Sequence, residues 1–271
     1  MEIVTDPADG LPALMVKASY VEKHGLLEKY VAATHGARRM YRGKRKTCYV
    51  ELHGGPGRVT RDKNVFTDGS PLIAWREAVR SGDPYSDMLV ADSDVAFVHA
   101  CHSRLKDLQA PVDSKAGPAF DTAAWAAGKM DRYGLHLVFL DPFNLAALPF
   151  AVFKPFFSLK RVDFIVHFSA NDLQRNLDSY LDKETSIMDA FAPGWRDHVT
   201  MRSRDTMRGN AFWYWVSLFE REQFKLAHER VLVRGPTNAP LYWLLNLSRH
   251  PLAGKIWDDV VEKPPQSDLF R

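Results

Sequence analysis

Residues 47–58 read TCYVELHGGPGR, a β-favouring run TCYVEL (47–52) that ends abruptly in HGGPGR (53–58), a turn holding Gly54, Gly55 and Gly57. A strand closed by a glycine-rich turn is how a nucleotide-binding βα unit begins. Glycine turns without a Cβ clash and lets the backbone approach a ligand closely. The pattern repeats downstream. MLVAD (88–92) reads as a buried strand ending on an acid, with Ser93 or Asp94 placed to cap the next helix. That helix carries Val95, Val98, Cys101, Leu105 and Leu108 at helical spacing. LHLVFL (135–140) is a continuous apolar run of strand length, as expected of a parallel strand covered on both faces. It ends in Asp141-Pro142-Phe143-Asn144. A helix near Phe150–Ser158 and a strand VDFIVHFS (162–169) follow. The alternation predicts an α/β fold around a Rossmann-like, doubly wound, mostly parallel sheet.

Outside these units the pattern is less regular. Residues 17–34 read as a helix with Val21, Leu26, Leu27, Tyr30 and Val31 on one face. Segment 59–69 reads as an exposed loop, after which Ser70 as N-cap and Pro71 at the first helical position open a helix to Val79. A further helix is expected around Thr122–Met130. Residues 211–224, AFWYWVSLFEREQF, read as a helix or as late strands of the sheet. Pro240–Val260 read as two short helices broken near His250-Pro251. The expected division is a Rossmann-like domain over 17–235 and a C-terminal helical or winged-helix-like appendage over 236–271.

A chain of 271 residues buries a large core without help from disulfides or metal. Its two cysteines, Cys48 and Cys101, lack a CxxC spacing, which fits a reducing compartment. The start, MEIVTDPADG, has no basic and apolar leader pattern, and no apolar run is long enough to span a bilayer. The expectation is a cytoplasmic protein with no membrane partner. His99 and His102 stand at i, i+3 without a third ligand in a zinc pattern, so no metal is expected.

The net charge of +3 is too small to argue for nucleic acid, but its distribution is uneven. Arg38, Arg39, Arg42, Lys44, Arg45 and Lys46 form one cluster, and Arg202, Arg204 and Arg208 another. These read either as phosphate contacts or as a solvated loop leading into the first strand.

In open α/β sheets ligands bind outside the carboxyl ends of the strands, and three such ends carry suitable residues. In S-adenosylmethionine-dependent methyltransferases, which the arrangement resembles, the first turn passes under the amino-acid part of the cofactor. Glu51, His53, Gly54, Gly55 and Gly57 stand there. Asp92 ends the second strand, where a carboxylate accepts the ribose hydroxyls or caps the following helix. Asp141-Pro142-Phe143-Asn144 resembles the Asp/Asn-Pro-Pro-Tyr/Phe signature of methyltransferases acting on amino nitrogens. There the acid accepts the target amine and the aromatic ring stacks on the substrate. This chain has one proline and a phenylalanine in that signature. Asn171, Arg175 and Asn176 follow the fourth strand and read as substrate contacts, or as polar groups that fasten a helix.

The ordered segments HGGPGR (53–58), GSPLIAW (69–75), LHLVFLDPFNLAALPF (135–150), LKRVDFIVHFSANDLQRNLDSY (159–180), FAPGWR (191–196) and SRHPLAGKIWDDV (248–260) resemble the three-Cys-motif partner protein (TcmP) family. The resemblance implies a class I methyltransferase-like fold and S-adenosyl-L-methionine as cofactor. It also implies a neighbouring three-Cys-motif protein, similar to radical S-adenosylmethionine proteins, as partner. His53-Gly54 stands where Phe-Ala or Cys-Ala is more typical. The expected activity is methyl transfer to an amino nitrogen of a nucleobase or nucleic acid, with Arg38, Arg39, Arg42 and Lys44 holding the substrate backbone. The alternative is a non-catalytic partner subunit that keeps the fold.

Overall fold

Continuous apolar runs fold as strands here because each is covered on both faces. The computed structural model describes residues 2–17, 19–199, 204–235 and 238–262. In chain order it contains β1 (Ile3–Thr5), β2 (Pro12–Met15), α1 (Ser19–Ala33), α2 (His35–Tyr41), β3 (Thr47–Glu51), β4 (Arg58–Thr60), β5 (Phe66–Asp68), α3 (Ser70–Arg80), β6 (Asp87–Asp92), α4 (Val95–Asp107), β7 (Val112–Ala116), α5 (Ala119–Lys129) and β8 (Leu135–Leu140). Three short 3-10 turns span Leu145–Ser158. Then come β9 (Val162–Phe168), α6 (Ala170–Asp182), α7 (Ile187–Phe191), α8 (Trp195–His198), α9 (Arg204–Glu220), β10 (Lys225–Leu226), β11 (Val231–Arg234), β12 (Pro240–Ser248) and α10 (Pro251–Glu262).

The main sheet has the order β10-β12-β9-β8-β3-β6-β7, with β11 also paired to β12. Strands β7, β6, β3, β8 and β9 are parallel, and β12 runs antiparallel to β9. Alternate residues of each strand supply two cores. Val50, Leu89, Val138 and Phe164 pack against α5, the 3-10 turns and α9, where Trp215 stacks on Phe191 at 5.4 Å. Tyr49, Val90, Leu137 and Ile165 pack against α1, α3, α4 and α10, with Trp257 fully buried. A slip of one residue would exchange the two faces of a strand, so burial fixes the register. Among the described residues no helix is long and apolar enough to cross a membrane.

The C-terminal segment differs from expectation. Residues 240–248 form β12, paired with β9 from Trp243↔Phe168 to Ser248↔Asp163, and only residues after Pro251 are helical. The reading as two helices failed because PLYWLLNLS is apolar nearly throughout, and a strand buried on both faces shows no alternation. A boundary at 235/236 would cut through the sheet, so β12 and α10 belong to the α/β body and are not an appendage. Segment 59–69 is likewise no open loop. Its β4–β5 hairpin joins β1 and β2 in a separate four-stranded sheet.

The basic cluster also has a structural account. Arg38 is 3% exposed and donates to the Asp83 carbonyl, the Val31 carbonyl and Thr34 Oγ1 at 2.7–2.8 Å. Arg39 and Arg42 pair with the Asp83 carboxylate at 3.2 and 2.7 Å, Arg45 with Asp131, and Lys46 with Asp87. These residues and the exposed Lys44 precede β3, at the amino edge of the sheet. Five strand residues, about 17 Å at the usual rise, separate them from the glycine turn. Arg38, Arg39, Arg42, Arg45 and Lys46 therefore fasten α2 and the start of β3 to neighbouring segments at this amino edge, away from the carboxyl edge where a substrate was expected. Of the later arginines, Arg202 lies outside the described residues.

Candidate active site at the carboxyl edge

The chain moves outward from β3 to β6 and β7, then returns to place β8 on the other side of β3. The carboxyl edge at such a reversal of strand order, between the turns after β3 and β8, is the usual ligand position in these sheets. The first turn is held from beneath. Glu51 is fully buried, its Oε2 accepting from the Tyr49 hydroxyl at 2.6 Å and its Oε1 from the Ser70 hydroxyl at 2.5 Å. Burial pushes its pKa up to about 8. Glu51 thus supports the turn and does not reach a ligand, which corrects its expected place among the cofactor contacts. Ser70 spends its hydroxyl on Glu51, and Gly69 takes the N-cap position of α3.

Gly55 and Gly57 have φ of +57° and +82°, and a Cβ on Gly57 would lie 2.8 Å from Leu72 Cδ1. The Gly54 N–H donates to the Ala91 carbonyl and the Gly55 N–H to Asp92 Oδ2, both at 2.9 Å. Asp92 Oδ1 accepts from the Asp94 N–H at 3.0 Å, while Asp94 itself caps α4. Asp92 remains half-buried, its carboxylate fixed beside the turn. His53 Nε2 lies 3.2 Å from the Ala147 carbonyl, and its buried Nδ1 has no hydrogen-bond partner among the described residues. Arg104, missed in the sequence, joins the Pro56 carbonyl at 2.7 Å to Asp9 at 2.7 Å and so pins the small sheet to the turn.

The second turn brings together residues that sequence spacing does not connect. Asp141 Oδ2 is paired with Lys23 from α1, and Oδ1 accepts from His167 Nδ1 of β9 at 2.6 Å. Lys23 is 4% exposed and lies over the Tyr20 ring at 4.4 Å, while the His167 ring meets Tyr242 at 4.0 Å. Burial alone would raise the Asp141 pKa, but the Lys23 and His167 partners hold it well below the carboxylate range. Burial lowers the His167 pKa despite Asp141, which favours the neutral ring. With Nδ1–H donating to Asp141, Nε2 carries the free lone pair.

Each oxygen of Asp141 is therefore engaged by one side chain of the fold, Lys23 on Oδ2 and His167 on Oδ1. Pro142 is buried and Phe143 is 67% exposed. Asn144 Oδ1 accepts from the Ala147 N–H at 3.0 Å, closing the turn. Asp172 accepts from the Leu145 N–H at 2.8 Å and from Asn176 Nδ2 at 2.5 Å, so Asn176 fastens α6 to this turn. A cavity of about 520 Å³ opens beside it, with Asn144, Asp172, Asn176 and Tyr180 in its walls. Asn171 is half-buried at the start of α6 and Arg175 is exposed one turn on.

No protein-family model and no curated protein sequence matches this chain. Among solved structures it is similar to the DszA carbon methyltransferase, with a TM-score of 0.51 and 13% identity, over 86% of this chain and 55% of that one. It is also similar to an O-methyltransferase from Bacillus cereus in complex with SAH, with a TM-score of 0.48 and 10% identity, over 89% and 86% of the two chains. Strand order and the first of these likenesses show a Rossmann-like, mostly parallel α/β fold shared with that methyltransferase.

Proposed function

We propose that this chain is an S-adenosylmethionine-dependent methyltransferase acting on an amino nitrogen of a flat ring such as a nucleobase. The observation that carries the reading is the Gly55 N–H to Asp92 Oδ2 hydrogen bond. It fixes an acid beside a glycine turn at the carboxyl edge of the sheet. The residues present fit such a cofactor. Asp92 supplies acceptors for ribose hydroxyls, and the orphaned His53 Nδ1 is an acceptor for an ammonium group next to the turn. S-adenosylmethionine, when bound, supplies an electrophilic methyl group.

The chain's own contribution is alignment and proton handling. Lys23 neutralises Asp141, and Asp141 holds the imidazole of His167 in one tautomer. His167 Nε2 is then the base that takes the proton lost by the acceptor nitrogen. Exposed Phe143 offers a face for the acceptor ring, and Asn144 and Asn176 border the cavity that would admit it. Closing donor and acceptor together with water excluded supplies the remaining acceleration.

Calorimetric titration with S-adenosylmethionine tests the cofactor site. Wild-type protein is expected to bind in the micromolar range and Asp92→Ala to lose about 2 kcal/mol of that affinity, a typical figure for charged hydrogen bonds. His167→Ala should keep cofactor affinity while transfer to cytosine- or adenine-bearing acceptors falls by about 10²-fold or more, as expected for loss of a general base. Absence of binding by a folded wild-type protein would leave only the scaffold reading. That reading has its own supporting observation in Trp213, 53% exposed on α9.

A further inference from the structure

A cavity lies at the opposite edge of the sheet from the glycine turn. It encloses about 620 Å³ between α1, α2 and α10, over the first residues of β8 and β9. That volume is in the range of small-molecule sites, which are mostly apolar with a few convergent polar groups. The walls fit this description: Tyr30, Tyr85, Leu137 and Ile256 supply aromatic and aliphatic surface. Arg38 and Arg249 are also in the walls, but their guanidiniums are spent on backbone carbonyls.

The two ends of the cleft carry opposite charge. Asp163 lines the inner wall on β9, and its only side-chain donor among the described residues is the Tyr30 hydroxyl at 3.0 Å. Asp163 is half-buried and has this one donor, and desolvation pushes its pKa up to about 7. Asn246, on the same face of the sheet through its pairing with Ile165, is fully buried beside the Tyr30 hydroxyl, its amide atoms without a hydrogen bond of normal geometry among the described residues. At the mouth Lys160 and Arg161 are exposed, and Arg161 donates from one Nη to the Tyr133 carbonyl at 3.1 Å while its other N–H groups stay open to solvent. Arg161 lies over Tyr41 at 5.5 Å, and Arg45 and Arg132 lie over Tyr133 at 5.6 and 5.7 Å. An occupant therefore presents a donor inward, a flat apolar body to the walls, and an anion outward.

We propose that this cleft is a second ligand site, separate from the cofactor site, which takes a nucleoside monophosphate with an amino-bearing base. The exocyclic amine donates to Asp163, as cytosine amines do to carboxylates elsewhere. The base lies against the tyrosines and the phosphate meets Lys160 and Arg161.

Cytidine and uridine monophosphate are the probes, because neither shares the adenine of the proposed cofactor. Both are titrated calorimetrically into the full chain at pH 8, where Asp163 is mostly ionised. Cytidine monophosphate is expected to bind at least about tenfold more tightly, since uracil presents a carbonyl where cytosine presents its amine. Asp163→Asn, which offers an amide N–H, reverses the order, and Arg161→Glu weakens both by about tenfold. Asp92→Ala leaves both unchanged, which separates this site from the cofactor site. No binding by folded wild-type protein overturns the proposal. So does equal binding that ignores Asp163→Asn, or binding lost in Asp92→Ala.

Discussion

Glu51 shows what a single buried acid does to the stability of this protein. Its folded pKa is raised to about 8, against about 4.5 when exposed, because burial disfavours the charged form more than Ser70 and Tyr49 favour it. The protonated acid is therefore preferred in the folded state, and its contribution is fully present below pH 4.5. It is lost as pH rises from there to 8, since the folded chain holds a proton that the unfolded chain has released. Glu51→Gln mimics the protonated acid. In urea unfolding the variant should match wild type within about 1 kcal/mol at pH 5, one donor losing its acceptor. At pH 8.5 it should be the more stable by on the order of 2 kcal/mol. A constant difference between the two pH values would show that Glu51 is ionised throughout. Legibility at this scale was uneven. Asp92 and Gly55 were visible because they end a strand and follow one. Lys23 and His167 were not, because they lie 118 and 26 residues from Asp141, and meet it only through the crossing of α1 over the sheet and the pairing of β9 with β8. The basic residues 38–46 looked free because Asp83, Asp87 and Asp131 are distant in sequence.

Elements were easiest to read where local and tertiary demands agree. MLVAD and LHLVFL became β6 and β8, and the helical spacing from Val95 became α4. Strands β1 and β2 were missed, being three and four residues long with a pairing that depends on β4. The turn between β3 and β4 shows how closely two elements are fitted. Gly57 has φ +82°, and its missing Cβ leaves room for Leu72 in the first turn of α3 and for the backbone of Cys101 in α4. Gly57→Ala must both adopt a left-handed conformation, at about 1–2 kcal/mol, and displace Leu72. We expect a loss of about 2–3 kcal/mol in chemical unfolding, together with weaker S-adenosylmethionine binding because the turn shifts. Gly25, within α1, has open space where a Cβ would stand and no positive φ. Gly25→Ala should stabilise the protein by about 0.5–1 kcal/mol through helix propensity. Equal effects of the two substitutions would mean that the Gly57 turn is looser than its contacts imply.

Across the whole molecule the question is whether the C-terminal segment is an attachment or part of the body. β12 is the bridge of the sheet, hydrogen-bonded to β9 on one side and to β10 and β11 on the other. Leu244 faces one core, and Leu245 and Leu247 the other. α10 then covers the first of these with Trp257, whose indole N–H donates to the Glu229 carbonyl at 3.0 Å. Burying Leu244, Leu245, Leu247, Trp257 and Val260 contributes about 2 kcal/mol each, or about 10 kcal/mol together. That is comparable with the entire stability of a typical domain. Removing residues 236–271 would also leave β9 as an open apolar edge, an aggregation-prone arrangement. A chain ending at Gly235 should therefore be insoluble, or lack near-ultraviolet circular dichroism and a cooperative urea transition. An independent appendage requires the opposite result: a truncated chain that unfolds at the same urea concentration as the full protein. The two outcomes differ because β12 supplies both ladder bonds and core, and no rearrangement of β10 and β11, with two and four residues, can replace its nine.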